Sequence, residues 1–142
     1  MPFTPPKPLE PAPEDVQGAM VLVVDYERVW RVILETDLRM LGYRVSLAED
    51  GYEALTRVEA DEPDVAVVDL MLPDPMDGRS LLSELHARSA TLSVIFYTAQ
   101  TELRPEAREP DAVAYLSKAA DRADLYALLP AAIRKTRRRH PQ

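Results

Sequence analysis

The chain contains no cysteine, which excludes a disulfide framework and a thiolate metal site. No apolar run approaches the length needed to cross a bilayer, so a membrane span is not expected. The N-terminus is rich in proline instead of basic and then apolar, so it does not read as a secretion signal. These absences point to the cytoplasm. Acidic residues outnumber basic ones by 24 to 17, and the resulting net charge of −7 argues against general affinity for nucleic acid. Only two histidines occur, His86 on the polar side of a helical segment and His140 near the end, and both read as solvated side chains.

What is present fits one soluble domain. A chain of 142 residues can bury a real core, and 46% apolar with 29% charged residues is ordinary for a globular protein. Residues 1–18 carry six prolines among the first thirteen positions and no apolar periodicity, so they are expected to be an extended, disordered leader. The folded unit is expected over residues 19–136, with a basic tail at 137–142. The run Arg134-Lys135-Thr136-Arg137-Arg138-Arg139 could hold a phosphate, but it reads better as a helix C-terminus whose cations complement the helix dipole.

From Met20 onward two patterns alternate. Short apolar runs at Met20–Val24, Arg44–Ala48, Val65–Leu70, Leu92–Tyr97 and Val113–Leu116 read as strands, the all-apolar ones as strands covered on both faces. Between them, helical spacing over Glu27–Leu41, Asp50–Ala60 and Gly78–Ser89 supplies helices. Gly42 is expected to cap the first helix, and Asp121 to open the last one. The alternation implies a parallel α/β sheet with right-handed crossovers. Residues 100–111 should form a further helix but hold Pro105 and Pro110, and Pro130 should kink the last helix. Trp30 reads as core or helix-face packing.

Functional groups in such a sheet gather at the carboxyl ends of its strands. Asp25 ends the first strand, Asp69 the third and Thr98 the fourth, and Lys118 follows the fifth. An acid at the end of a buried strand is poorly solvated unless it binds a cation or takes part in chemistry. Paired carboxylates suit a hard cation such as Mg²⁺, and a carboxylate can itself act as a nucleophile toward an activated phosphoryl donor. A lysine ammonium and a threonine hydroxyl can stabilise the phosphoryl oxygens that result.

With these residues the chain resembles the response-regulator receiver domain of two-component signalling. The resemblance runs over about residues 20–135 and rests on Val21-Leu22-Val23-Val24-Asp25, Asp69-Leu70-Met71-Leu72-Pro73, Met76-Asp77-Gly78, Thr98-Ala99 and Tyr115-Leu116-Ser117-Lys118. It implies a flavodoxin-like, doubly wound, five-stranded parallel sheet of order 2-1-3-4-5 with helices on both faces. It also implies that Asp69 is the phosphoacceptor, that Lys118 contacts the phosphoryl oxygen, and that Thr98 and Tyr115 are a switch pair. Asp25, Asp69 and the backbone carbonyl of Met71 would hold Mg²⁺. The partners implied are a histidine kinase or phosphotransfer protein and a downstream protein target. The domain would catalyse its own phosphorylation and dephosphorylation without being a conventional enzyme.

One departure from the pattern bears on the metal site. Tyr26 stands where a second acid is expected, and a phenol is not an anionic ligand at neutral pH, so metal binding should weaken. Glu27 follows it but is expected to begin the helix and point elsewhere. A pseudo-receiver that serves as a phosphorylation-independent interaction module is the alternative. An aspartate-nucleophile phosphatase is disfavoured, because Met71 occupies the position of its general acid. No output domain follows residue 140, so a stand-alone receiver acting through other proteins is expected.

Overall fold

The computed structural model describes residues 3–99 and 114–139. Five strands form one parallel sheet: β1 (Met20–Val24), β2 (Arg44–Ala48), β3 (Val65–Val68), β4 (Ser93–Thr98) and β5 (Ala114–Ser117). Their order is β2-β1-β3-β4-β5, the 2-1-3-4-5 arrangement expected. The described α-helices are α1 (Arg28–Leu41), α2 (Gly51–Asp61), α3 (Gly78–Arg88) and α4 (Arg122–Arg139), preceded by a 3-10 turn at Glu14–Val16. The proline-interrupted helix expected at 100–111, Val113 of the expected fifth strand and His140 all lie outside the described residues.

Strand residues alternate between two cores because successive side chains leave opposite faces of a strand. Val21, Val23, Val67, Ile95 and Tyr97 face α1 and α4. Leu22, Val24, Val68, Val94 and Phe96 face α2 and α3. Both faces of the sheet are therefore dry, which explains why β1 and β3 are apolar throughout and β4 is apolar between Ser93 and Thr98.

The helix ends follow local chemistry. Gly42 closes α1 in the left-handed region at φ 105°, where a residue without a Cβ is favoured. Asp50 caps α2 by accepting from the Glu53 amide at 2.8 Å, and Asp77 caps α3 by accepting from the Ser80 amide at 2.8 Å. Pro130 does not end α4, which runs as one helix from Arg122 to Arg139. Leu129, Ala132 and Ile133 are buried on either side of it, and their packing outweighs the lost backbone bond. His86 is not simply solvated: its Nε2 lies 3.0 Å from the Leu92 carbonyl and ties the end of α3 to the start of β4.

The N-terminal segment departs most from expectation. In place of a disordered leader, it lies along α1 and α4 and contributes to the core. Val16 is fully buried, Ala12 nearly so, and Leu9 packs against the same cluster. The Ala12 amide donates to the Leu41 carbonyl at 2.8 Å, and Arg134 donates to both carboxylate oxygens of Asp15 at 2.8 Å. Nearer the chain end, the Lys7 amide donates to Asp121 at 2.7 Å. Prolines disfavour a regular helix over much of the segment, and a single 3-10 turn at Glu14–Val16 carries Val16 into the core. Val16→Ala is expected to lower stability by about 2 kcal/mol, read from urea unfolding, whereas a detached tail would leave it unchanged. The expected basic tail is likewise helical as far as Arg139, and Arg137 lies 3.3 Å from Asp64.

Candidate functional site

The carboxyl ends of β1, β3 and β4, with the turn after β5, converge as expected. Parallel pairing sets Val24 beside Val68 and Val68 beside Phe96, so the residues that leave these strands emerge together. Asp25 and Asp69 follow β1 and β3 directly and are 2% and 5% exposed. Thr98 is fully buried at the end of β4. Its carbonyl accepts from the Lys118 amide at 2.8 Å, which anchors the β5 turn to the same place.

Lys118 spans the two acids. Its Nζ lies 2.7 Å from Asp25 and 2.8 Å from Asp69, with the lysine and aspartate side chains almost wholly shielded from water. Burial pushes the Asp25 carboxyl above the usual carboxylate range, against the pull of the ammonium and of the Glu27 amide. Burial alone would lower the lysine, but its hydrogen bonds and charge attraction to Asp25 and Asp69 outweigh that and hold it above the ordinary lysine range.

The loops around the acids are also held in place. The Met71 amide donates to Asp69 Oδ1 at 3.0 Å, and the Glu27 amide donates to Asp25 Oδ1 at 2.9 Å. Each carboxylate thus keeps one oxygen on its own loop and turns the other toward Lys118. Arg31 donates to the carbonyls of Asp25 and Tyr26 at 2.8 and 2.9 Å and so fixes the β1–α1 turn, a role with no clear sequence signal. Gly78 lies against the backbone of Asp69: a Cβ added there would meet the Asp69 carbonyl oxygen at 2.6 Å and Leu70 Cα at 2.7 Å. Gly78→Ala is expected to destabilise by about 1–3 kcal/mol in denaturant unfolding, because backbone on both sides must give way.

Glu27 is the main correction. It is the N-cap of α1 with extended backbone, so its side chain is not committed to the helix. Carboxylate oxygens of Asp25, Glu27 and Asp69 all fall within 4.8 Å of one another. The acid expected to point away instead completes a three-carboxylate group. Tyr26 and Met71 project outward, 60% and 63% exposed. Three hard oxygen donors around a partly open position suit Mg²⁺, which needs few protein ligands.

Tyr115 is half-buried on β5, opposite Phe96 in the register, with ring centroids 5.1 Å apart. Trp30 is more than packing. Its ring meets Tyr97 edge-on at 5.6 Å, and Lys118 Nζ lies 5.0 Å from its centroid.

The likenesses to known proteins agree with this geometry. The family model for the response regulator receiver domain matches residues 21–130. The response regulator MprA of Mycobacterium avium is 35% identical over 119 residues, covering 82% of this chain and 52% of the relative. Its counterpart in Mycolicibacterium vanbaalenii is 36% identical over 118 residues, covering 82% of this chain and 51% of the relative. The chain thus spans about half the length of these curated relatives. Among solved structures, the signal receiver domain of an HD domain-containing protein from Pseudomonas fluorescens superposes with a TM-score of 0.77 at 28% identity, over 86% of this chain and 99% of that one. The receiver domain of a Francisella response regulator superposes at 0.75 with 27% identity, over 84% and 99% of the two chains. The chain belongs to the response regulator receiver-domain family of two-component signalling.

Proposed function

We propose that this receiver accepts a phosphoryl group on Asp69 from the phosphohistidine of a histidine kinase or phosphotransfer protein, and signals as a stand-alone domain by protein–protein contact in the cytoplasm. The observation that carries the reading is the Lys118 ammonium seated across the buried Asp25 and Asp69 carboxylates at adjacent strand ends. An Asp69 oxygen attacks phosphorus, the bond from phosphorus to the donor nitrogen breaks, and the imidazole leaves with the electron pair and takes a proton. The product is an acyl phosphate. Lys118 and the Thr98 hydroxyl would stabilise its oxygens.

Receiver domains bind Mg²⁺ in an acidic pocket, and the carboxylates of Asp25, Glu27 and Asp69 fit that role, with the Met71 carbonyl as a further ligand. A bound Mg²⁺ would neutralise charge on the transferred group. Glu27 offsets the loss of an acid at Tyr26. Glu27→Gln is therefore expected to weaken Mg²⁺ binding by about tenfold, and Tyr26→Asp to tighten it by a similar factor, both read by isothermal titration. Phosphorylation would act by population shift, drawing Thr98 and Tyr115 inward and altering the surface they support.

The exposed Tyr26 favours a second reading, a pseudo-receiver that binds partners without phosphorylation. Incubation with acetyl phosphate and Mg²⁺, followed by intact-mass measurement, separates the two. A hydroxylamine-labile phosphoryl adduct that disappears in Asp69→Asn supports the phosphoacceptor. An unmodified protein, under conditions that label a control receiver, leaves the interaction module standing.

A further inference from the structure

We propose that Trp30 is the positioning residue for Lys118, holding the ammonium in place through the face of its indole ring while the carboxylates change partners. The inference rests on the proposed reading of Lys118 and extends it to a residue outside the site motifs.

A lysine ammonium has three N–H donors. Asp25 and Asp69 engage it at 2.7 and 2.8 Å, and the Trp30 ring centroid lies 5.0 Å away, within the range of a cation–π contact. The site is desolvated, with the Lys118 side chain 3% exposed, which strengthens such an attraction. The residue is itself held at two points. Its backbone amide donates to the Glu27 carbonyl at 3.1 Å, placing Trp30 in the first turn of α1, and Tyr97 meets its plane at 89°. Tyr97 is 1% exposed and precedes Thr98, so the aromatic pair links Lys118 to the strand that carries the hydroxyl.

The physical need arises from the site's own charges. Lys118 is held by two carboxylates, both of which acquire other partners when a divalent cation binds or a phosphoryl group is added to Asp69. At that moment the ammonium loses attraction on the side of the acids. A metal ion does not compete for the indole face, so its attraction persists through the exchange. The ring thereby keeps the cation near the position of the phosphoryl oxygens and spares the cost of repositioning a long, flexible side chain.

Trp30 is the single tryptophan of the chain, so biosynthetic fluorination of tryptophan alters this ring alone. Fluorines drain the ring face in steps with almost no change of shape, which separates attraction from packing. Acetyl phosphate labelling is expected to slow stepwise from none to three fluorines, by about tenfold in all. The Lys118 ε-methylene protons should also show an upfield ring-current shift by NMR that vanishes in Trp30→Leu. A rate independent of fluorination in the wild-type background, or a missing ring-current shift, overturns the role of Trp30 alone. A wild-type chain that takes no phosphoryl group overturns the phosphoacceptor reading, and this inference with it.

Discussion

Asp69→Asn is expected to reduce phosphorylation to less than about one-thousandth of the wild-type rate while leaving the fold intact. An amide oxygen is a poor nucleophile and cannot yield the same acyl phosphate. The structure makes this substitution nearly isosteric, and its stability cost should be small. The oxygen of the introduced carboxamide can accept from the Met71 amide, now 3.0 Å from Asp69 Oδ1, or from Lys118, now 2.8 Å from Oδ2, but not from both, and Lys118 retains Asp25 at 2.7 Å. Removing one of two neighbouring negative charges also relieves part of the repulsion that Asp25 experiences from Asp69. The checks are intact mass after acetyl phosphate treatment and a urea unfolding curve. Loss of the adduct with stability within about 1 kcal/mol of wild type is the expected pair of results. A persistent adduct would move the phosphoacceptor to another residue.

Lys118→Met should act in the opposite way, with a large cost to stability. Methionine approximates the volume of the lysine stem but leaves two carboxylates, 2% and 5% exposed, facing each other without a counter-ion. Breaking a buried pair by removing one partner typically costs about 3–5 kcal/mol, because the remaining charge is left uncompensated. Here two such charges remain, so the loss at neutral pH should fall toward the upper part of that range. Mg²⁺ supplies what the variant lacks, and its addition should raise the melting temperature of Lys118→Met more than that of the wild type. Equal responses to Mg²⁺ would argue that the cation does not sit between Asp25 and Asp69.

These contrasting expectations come from neighbouring residues of one small cluster, and the two residues are not equally legible in the sequence. Asp69 stands out because an acid directly after Val65–Val68 has no place in an apolar strand. Lys118 is recognisable only by its position after the last strand, and nothing local shows that it bridges both acids. Glu27 escapes local reading for a related reason. Its neighbours make it the first residue of a helix, and a helix-terminal glutamate ordinarily faces water. Whether it turns back toward Asp25 depends on the turn, which is held by the Arg31 hydrogen bonds to the Asp25 and Tyr26 carbonyls.

The leader shows the same limit. Its proline content suggests an extended chain, yet Glu14–Val16 form a 3-10 turn, and composition carries no further. Val16 and Ala12 are too few to signal a core segment, yet α1 and α4 present an apolar surface that two small side chains can reach. Trp30 likewise has helical spacing that suits packing, and it does pack. Its second role depends on Lys118, far along the chain beyond the fifth strand, reaching its ring.

Local patterns therefore established the strands and described helices, the parallel sheet, and the presence of acids and a lysine at its carboxyl edge. Periodicity and capping act over a few residues, so they are written along the chain. The order of the strands follows from resemblance and is realised by the crossovers. The Lys118 bridge, the inward turn of Glu27, the indole beneath the ammonium and the docked leader were decided by tertiary packing alone. All but the Glu27 turn, which Arg31 holds locally, depend on contacts between segments distant in sequence, and their energy exists only once the sheet has brought those segments together.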